Sequence, residues 1–130
     1  YATALPAASG RFGVVGYCWG GSQVWNYAVR QPDLSAAVVY YGSGPREPAD
    51  YTRITCPVLG LYGSDDERVN ATIPMSQQAM SEAGKSFVKH VYEGAGHGFL
   101  RQQTGREGAN LAASKQAWAE TITFFRRHLE

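Results

Sequence analysis

Three short apolar segments limit most tightly how this chain can fold. They are residues 12–17, 36–41 and 57–62, and each is nearly continuous in apolar and aromatic side chains. A strand with one solvated face alternates apolar and polar residues, whereas a strand buried on both faces does not. The three segments therefore predict parallel strands inside a sheet covered by helices. A fourth apolar segment, residues 86–92, predicts one further strand.

Helical patterns lie between and after these strands. Residues 20–30 form one such pattern, which ends before Pro32 because proline disfavours a helical conformation in the residue that precedes it. Residues 74–83 begin with proline and are followed by Gly84, as is common at the two ends of a helix. A longer pattern near the C-terminus predicts an amphipathic helix that packs one apolar face, Trp118 included, into the core. That face consists of Leu111, Trp118, Ile122, Phe125 and Leu129.

The order of these elements predicts an α/β fold, a mostly parallel sheet flanked by helices. The order is strand, helix, strand, loop, strand, helix, strand, helix. Residues 42–53 join two of the predicted parallel strands, although their glycine, proline and aspartate content allows only a short helix.

Composition and charge exclude several classes of partner. The chain has 12 basic and 11 acidic residues, which gives a net charge of +1 and no basic surface for nucleic acid or an anionic membrane. No apolar segment approaches the roughly 20 residues needed to cross a bilayer. The two cysteines are too few for a disulfide scaffold, and we find no metal-ligand spacing or dinucleotide fingerprint. We therefore expect no nucleic-acid partner, no membrane association, and no metal or cofactor.

The N-terminal sequence and the cysteines bear on the cellular compartment. The first ten residues lack the basic and apolar regions of a signal peptide, and the chain does not start with Met. An accessible free thiol persists best in a reducing compartment, so we expect a cytoplasmic location unless a targeting segment has been removed. We expect residues 1–130 to form a single α/β domain that is part of a longer one.

The segment GYCWGG joins the first predicted strand to the first predicted helix. Gly16 and Gly20 flank Cys18 at the spacing of a nucleophile elbow, with cysteine where serine is commoner. Such a turn exposes the side chain above the sheet, and the free N–H groups of the next helix favour a thiolate. The Trp19 N–H points to where an oxyanion would form, and Gly20 and Gly21 should let the helix pack closely on the strand. We interpret Cys18 as a nucleophile; the alternative is a buried structural cysteine.

A thiol nucleophile needs a base, and the base needs a group that orients it. His97 lies in the glycine-rich segment EGAGHGF after the fourth strand, where a loop can bring an imidazole over the carboxyl edge of the sheet. The acid candidates follow the third strand. The spacing Gly63-x-x-Asp66-x-x-Val69 favours Asp66, with Asp65 as the second choice. The alternatives are an ordinary turn histidine and aspartates that serve in turns or caps.

Four segments of the sequence resemble the dienelactone hydrolase family of α/β hydrolases. They are GYCWGG, YYGSGP, CPVLGLYGSDDERVN and GAGHGFLR, and the resemblance extends over nearly the whole chain. It implies a Cys18, His97 and Asp66 triad that hydrolyses lactones or other activated esters without metal or cofactor. The order of nucleophile, acid and base along the chain is that of α/β-hydrolase triads. The resemblance also implies that Arg101, four residues after the histidine, binds a carboxylate of the substrate.

The position of Cys18 near the N-terminus departs from the family, in which the elbow lies mid-chain. The chain therefore resembles only the carboxyl-terminal half of an α/β-hydrolase fold. The resemblance implies that this chain lacks the early strands, a second oxyanion donor, a glutamate near the thiol and another arginine. Losing one oxyanion donor can cost about a hundred- to thousandfold in turnover. The first strand should have an apolar open edge, and we expect a second copy of the chain or the missing N-terminal half to cover it.

We expect a hydrolase that acts on a small ester or lactone, with a thioacyl intermediate on Cys18. Arg101 would favour substrates that bear a carboxylate. The second hypothesis is a catalytically impaired α/β-hydrolase remnant that binds a small carboxylate or a protein. Redox sensing through Cys18 is a third and weaker hypothesis, because no resolving cysteine lies nearby in the sequence.

Overall fold

The structure, a computed structural model, describes residues 4–6 and 8–130 and contains an open parallel sheet. Its strands are β1 (Gly13–Tyr17), β2 (Ala36–Tyr40), β3 (Val58–Asp65) and β4 (Phe87–Gly96). Its α-helices are α1 (Trp19–Arg30), α2 (Pro48–Tyr51), α3 (Glu67–Asn70), α4 (Ile73–Glu82) and α5 (Ala109–Leu129). The strands lie in the order β1-β2-β3-β4, all parallel, which confirms the predicted fold class. The predictions for the first ten residues fall partly outside the described residues.

The two central strands, β2 and β3, are buried on both faces, as their apolar sequences predict. All five residues of β2 are buried, and so are residues 58–63 of β3. Strand β1 differs, because only Gly16 among its residues is buried. The prediction of burial on both faces is therefore wrong for β1, which lies at the edge of this sheet. The connection from β2 to β3 contains only the four-residue helix α2, as predicted.

Helices cover the sheet on its two faces, and each face has its own hydrophobic core. Trp25 of α1 is fully buried in one core, together with Ile54 and Met80. The other core lies against α5 and includes Tyr40 and Phe99. Burying a side chain of this size contributes about 1.5–3 kcal/mol to the free energy of unfolding. The two cores therefore hold the helices on the sheet and fix the loops at its carboxyl edge.

Helix α5 packs on the sheet through a face that overlaps only in part with the predicted one: Phe125 packs against the core, whereas three of the five predicted residues are exposed. Trp118 is 50% exposed, and Leu111 and Ile122 are also exposed. The buried face instead carries small and polar side chains: Asn110, Ala113, Ser114, Ala117 and Thr121. Small residues let the helix approach the sheet closely, and the Tyr40 hydroxyl lies 2.7 Å from Thr121 Oγ1. The predicted core position of Trp118 is therefore wrong. Within the described part of the chain, no helix is both long and apolar enough to span a membrane.

The open edge of β1 forms one wall of a surface groove. The groove has a volume of about 410 Å³ and is lined in part by Val14, Val15 and Tyr27. Phe125 and Leu129 of α5 pack so closely on Gly13 of the same strand that an added Cβ there would lie 2.6 Å from the Phe125 ring. The apolar surface of α5 thus continues to the strand edge. Coverage of this edge by another chain segment stays a prediction. The assignment of residues 1–130 to one partial domain also stays a prediction.

We expect the 130-residue chain by itself to associate through this edge. Unpaired N–H and C=O groups next to apolar side chains favour pairing with another strand. Light scattering should then give a mass above the 14.2 kDa of one chain, rising with protein concentration. A mass of one chain at all concentrations, with rapid amide exchange along β1, would contradict this prediction.

Candidate active site

Cys18 occupies a strained turn between the end of β1 and the start of α1. Its backbone has φ 55° and ψ −120°, a conformation that residues other than glycine rarely adopt. The turn is held by hydrogen bonds: the Cys18 N–H donates to the Tyr40 carbonyl at 3.0 Å, and the Ser22 N–H donates to the Cys18 carbonyl. Such strain persists only where the surrounding structure enforces it, and it is common at active sites. The side chain is exposed at the carboxyl edge of the sheet.

Two glycines make this turn sterically possible. A Cβ added to Gly16 would lie 2.3 Å from the Gly20 carbonyl oxygen, and one added to Gly21 would lie 2.6 Å from the Tyr40 carbonyl oxygen. Neither clash involves a flexible side-chain end, so both positions require glycine. A Cβ on Gly20 would meet nothing within 4 Å. The predicted packing role is therefore right for Gly21 and wrong for Gly20, because the Gly20 hydrogens point to open space.

The structure brings Cys18, His97 and Asp66 into one chain of polar contacts. His97 directly follows β4, and its Nε2 lies 3.0 Å from the Cys18 Sγ. The Nδ1 of the same ring lies 2.6 Å from Asp66 Oδ2. Each residue follows a different strand, and the carboxyl ends of parallel strands meet at one edge of the sheet. This arrangement can hold a proton on the imidazole and negative charge on the sulfur.

The loop after β3 distinguishes Asp66 from its neighbour Asp65. Asp66 is buried at the N-cap of α3, where its Oδ1 accepts a hydrogen bond from the Val69 N–H at 3.4 Å. Its Oδ2 is left for His97. Asp65 points away and forms an ion pair with Arg106, and both of these side chains are about half exposed. The Asp66 carboxylate thus combines a helix cap with the contact to the imidazole.

Two cavities flank the Cys18 sulfur. The larger, about 500 Å³, is lined by Tyr17, Cys18, Tyr41, His97, Gly98, Leu100, Arg101 and Gln102. The smaller, about 260 Å³, is lined by Cys18, Trp19, Ser22, Tyr41, Ser43, Arg68 and Val69. Arg101, predicted to bind substrate, therefore lies at the cavity that contains His97. The Trp19 side chain is 74% exposed at the smaller cavity.

No pattern in the sequence identifies Arg68, whereas alternation at the end of the predicted strand of residues 36–41 predicts that one of Tyr40 and Tyr41 faces the site. Tyr41 does so: its ring centroid lies 5.3 Å from that of His97, and its backbone has φ 41°. Burial raises the pKa of the Tyr41 hydroxyl. Tyr40 faces α5 instead. The only sequence signal for Arg68 was its position two residues after Asp66 in the same loop.

Comparison with known proteins decides the family. The sequence model of the dienelactone hydrolase family matches residues 1–129. The chain belongs to the dienelactone hydrolase family. A protein of Salmonella typhimurium, provisionally named a carboxymethylenebutenolidase, is 34% identical over 128 residues, which are 91% of this chain and 47% of that protein. The carboxymethylenebutenolidase of Rhodococcus opacus is 34% identical over 129 residues, covering 91% of this chain and 50% of that protein.

The chain spans about half the length of the curated relatives it matches. Among solved structures, it matches a dienelactone hydrolase-like promiscuous phosphotriesterase from metagenomic libraries with a TM-score of 0.83. That match covers 98% of this chain and 57% of the other, and the 23% identity shows a shared fold. The predicted resemblance to the dienelactone hydrolase family, a family of hydrolases, is confirmed.

In this family member, the surroundings of Cys18 and His97 favour the charged form of both groups. The hydrogen bond from His97 lowers the pKa of the Cys18 thiol and outweighs the opposing effect of burial. The Trp19 N–H and the positive charges of His97 and Arg68 lower it further. Burial lowers the pKa of His97, but its hydrogen bonds to Cys18 and Asp66, together with their charges, outweigh burial and raise it. A thiolate beside an imidazolium is the pair that cysteine nucleophiles use.

The second cysteine, Cys56, has the opposite environment. It is 4% exposed at the entrance to β3, and burial raises the pKa of its thiol to about 11. At neutral pH it is therefore a thiol and not a thiolate, which makes it a poor nucleophile. Over the described ranges, 4–6 and 8–130, we find no cluster of three or more histidine, cysteine or acidic side chains that could hold a metal ion.

Proposed function

We propose that the protein hydrolyses lactones or activated carboxylic esters through a Cys18, His97 and Asp66 triad. The observation that carries this proposal is the continuous chain of contacts from the Cys18 sulfur through both ring nitrogens of His97 to Asp66. Membership of a hydrolase family supports the same reaction class. A binding module without turnover is less well supported, because binding alone does not need a strained cysteine beside an imidazole.

The reaction proceeds in two steps. In the first, the Cys18 thiolate attacks the ester carbonyl carbon, and the Trp19 N–H donates a hydrogen bond to the developing oxyanion. The imidazolium of His97 gives the proton on Nε2 to the leaving oxygen, and the C–O bond breaks to leave a thioester on Cys18. In the second, His97 takes a proton from water, whose oxygen attacks the thioester. The acid is released, and the thiolate and imidazolium are restored.

Asp66 acts through His97 in both steps. Its Oδ2 accepts a hydrogen bond from Nδ1, which keeps the proton on that nitrogen and directs Nε2 to the sulfur. The negative charge also stabilises the imidazolium. Asp66 Oδ1 already accepts a hydrogen bond from the Val69 N–H, so the carboxylate is held in place. Little further conformational entropy is therefore lost when the imidazolium forms.

Esters and lactones suit this site better than peptides. An alkoxide or enolate leaves a tetrahedral intermediate more readily than an amide nitrogen, and a thiolate is itself a good leaving group. Arg101 lies at the larger cavity with His97, so a carboxylate on the leaving side of the substrate can pair with its guanidinium. The relatives are named carboxymethylenebutenolidase, after a substrate that is a lactone with a carboxylate.

Alkylation of the protein with iodoacetamide tests this proposal. The lowered pKa of Cys18 means that its thiolate persists below the ordinary thiol range, so the labelling rate should decline only as pH falls through that lowered pKa. Loss of activity towards p-nitrophenyl acetate should follow the fraction of Cys18 labelled, as measured by mass spectrometry. Cys56 is the internal control, since it should react only after denaturation. Full esterase activity in protein with fully alkylated Cys18 would rule the proposal out.

A further inference from the structure

The two cavities beside Cys18 have different chemical surroundings. They share Cys18 and Tyr41 and otherwise have no lining residue in common. The larger cavity contains the imidazole of His97, and the smaller contains Trp19 and the serines at positions 22 and 43. A substrate whose carbonyl group lies at the sulfur can therefore place one part of the molecule in the larger cavity and the other part in the smaller cavity.

The position of His97 assigns a part of the substrate to each cavity. The leaving oxygen must receive the proton from His97, so the leaving group belongs in the larger cavity. The acyl part then belongs in the smaller cavity, beside the Trp19 N–H that faces the sulfur. This acyl cavity has a volume of about 260 Å³, against about 500 Å³ for the leaving-group cavity, so the smaller part of the substrate belongs in it.

Each cavity carries one arginine whose charge is available to a ligand. Arg101 lies at the leaving-group cavity and Arg68 at the acyl cavity. Within residues 4–6 and 8–130, neither guanidinium has a carboxylate within 4.0 Å. The positive charge of Arg68 already reaches the Cys18 sulfur, since it helps to lower the pKa of that thiol.

The short helix that holds Arg68, α3, is fixed on both sides. The residue before the helix, Asp66, contacts His97, and the next residue after Arg68, Val69, is buried. Asn70 donates a hydrogen bond from Nδ2 to the Gly63 carbonyl at 2.8 Å. The acyl cavity also contains a hydroxyl donor, because Ser22 Oγ accepts a hydrogen bond from the Ser43 N–H at 3.0 Å and keeps its own proton for a ligand. A cation on a fixed helical turn beside a hydroxyl donor forms a suitable receptor for a carboxylate.

We propose that Arg68 binds a carboxylate on the acyl part of the substrate, so that the site selects half-esters of short dicarboxylic acids and lactones with an acidic acyl side. This inference rests on the proposed hydrolase function and names its substrate class. A half-ester and water give a dicarboxylate and an alcohol, through the same thioester on Cys18. Arg101 serves an anion on the leaving side, and Arg68 one on the acyl side.

Two p-nitrophenyl esters of equal chain length test the inference. The hemisuccinate carries a carboxylate where the butyrate carries a methyl group. In Arg68→Gln, the ratio of kcat/KM for hemisuccinate to that for butyrate should fall about tenfold, the effect expected of one partly exposed charge-assisted hydrogen bond. Arg68→Lys should retain most of the ratio because it keeps the charge. Arg53 is an exposed arginine that follows α2 and lines neither cavity, so Arg53→Gln is the matched control and should change neither rate. An unchanged ratio in Arg68→Gln would overturn the inference.

Alkylation separates a failure of this inference from a failure of the proposed function. Anionic iodoacetate and neutral iodoacetamide both report on an accessible Cys18 thiolate and need no ester hydrolysis. Arg68→Gln should lower the ratio of the iodoacetate rate to the iodoacetamide rate at low ionic strength, and added salt should diminish the difference. If ester hydrolysis does not depend on Cys18, the proposed function fails, while a lowered alkylation ratio still supports anion binding by Arg68. An alkylation ratio equal to that of the unsubstituted protein counts against Arg68 in either case.

Discussion

Replacing Cys18 with alanine should reduce the turnover of p-nitrophenyl acetate by at least about a thousandfold. Alanine removes the atom that forms the covalent intermediate, and loss of a nucleophile costs roughly as much as loss of a whole catalytic triad. The strained backbone at Cys18 is enforced by the surrounding hydrogen bonds and glycines, so the alanine variant should retain the fold. Initial rates with purified protein, corrected for the spontaneous hydrolysis of the ester, measure the effect.

The second cysteine provides a matched control for this substitution. Cys56 is buried at the entrance to β3, far along the sheet from its carboxyl edge. Cys56→Ala should keep the turnover of the unsubstituted protein and lower only the thermal stability, through a small cavity in the core. Normal hydrolysis by Cys18→Ala would show that the nucleophile is another group.

Replacing His97 with glutamine should lower kcat by about a hundred- to ten-thousandfold, the usual contribution of a general acid and base. Glutamine cannot carry a proton between the steps, and its neutral amide cannot replace the charged hydrogen bond that the imidazolium gives the sulfur. The hydrogen bond from His97 is the largest cause of the lowered pKa of Cys18, so that pKa should rise in the variant. The labelling rate with iodoacetamide should then require a higher pH to reach its maximum.

His90→Gln is the matched control for the His97 substitution. His90 lies on β4, is partly exposed and has its Nε2 3.8 Å from a carboxylate oxygen of Glu120, away from the sulfur. Its replacement should change neither the turnover nor the pH dependence of Cys18 labelling. An unshifted labelling profile in His97→Gln would mean that the imidazole does not set the reactivity of the thiol.

Local rules of chain geometry made much of the fold and the arrangement of the site predictable. Continuous apolar sequence predicts β2 and β3 because only a strand buried on both faces needs it. The spacing from Gly63 to Asp66 to Val69 favours Asp66 over Asp65 as the acid of the triad. The buried side chain of Val69 fixes the conformation of this segment and so the direction of the aspartate side chains. Glycines at the strand-to-helix turn fix where Cys18 lies. In each case, residues close in the sequence determine the geometry.

Features that depend on packing between distant segments were not predictable in this way. The apolar period of α5 pointed to Trp118, yet the sheet accepts a face of small residues because Tyr40 and Phe99 already fill the space beneath the helix. Likewise, the sequence around Arg68 shows a charged residue in a turn. Only the fold places that guanidinium at a cavity beside Cys18, which comes from a different loop.

A trapped intermediate tests most directly whether the Cys18 sulfur carries the acyl group. Protein mixed with p-nitrophenyl acetate, quenched in acid within the first turnover and digested, should show the mass of one acetyl group on the Cys18 peptide. Hydroxylamine should remove that mass, as it does from a thioester, and the peptide that contains Cys56 should stay unmodified. Ester hydrolysis that proceeds while the Cys18 peptide never gains an acyl group, or an acyl group found on another residue, would contradict the account.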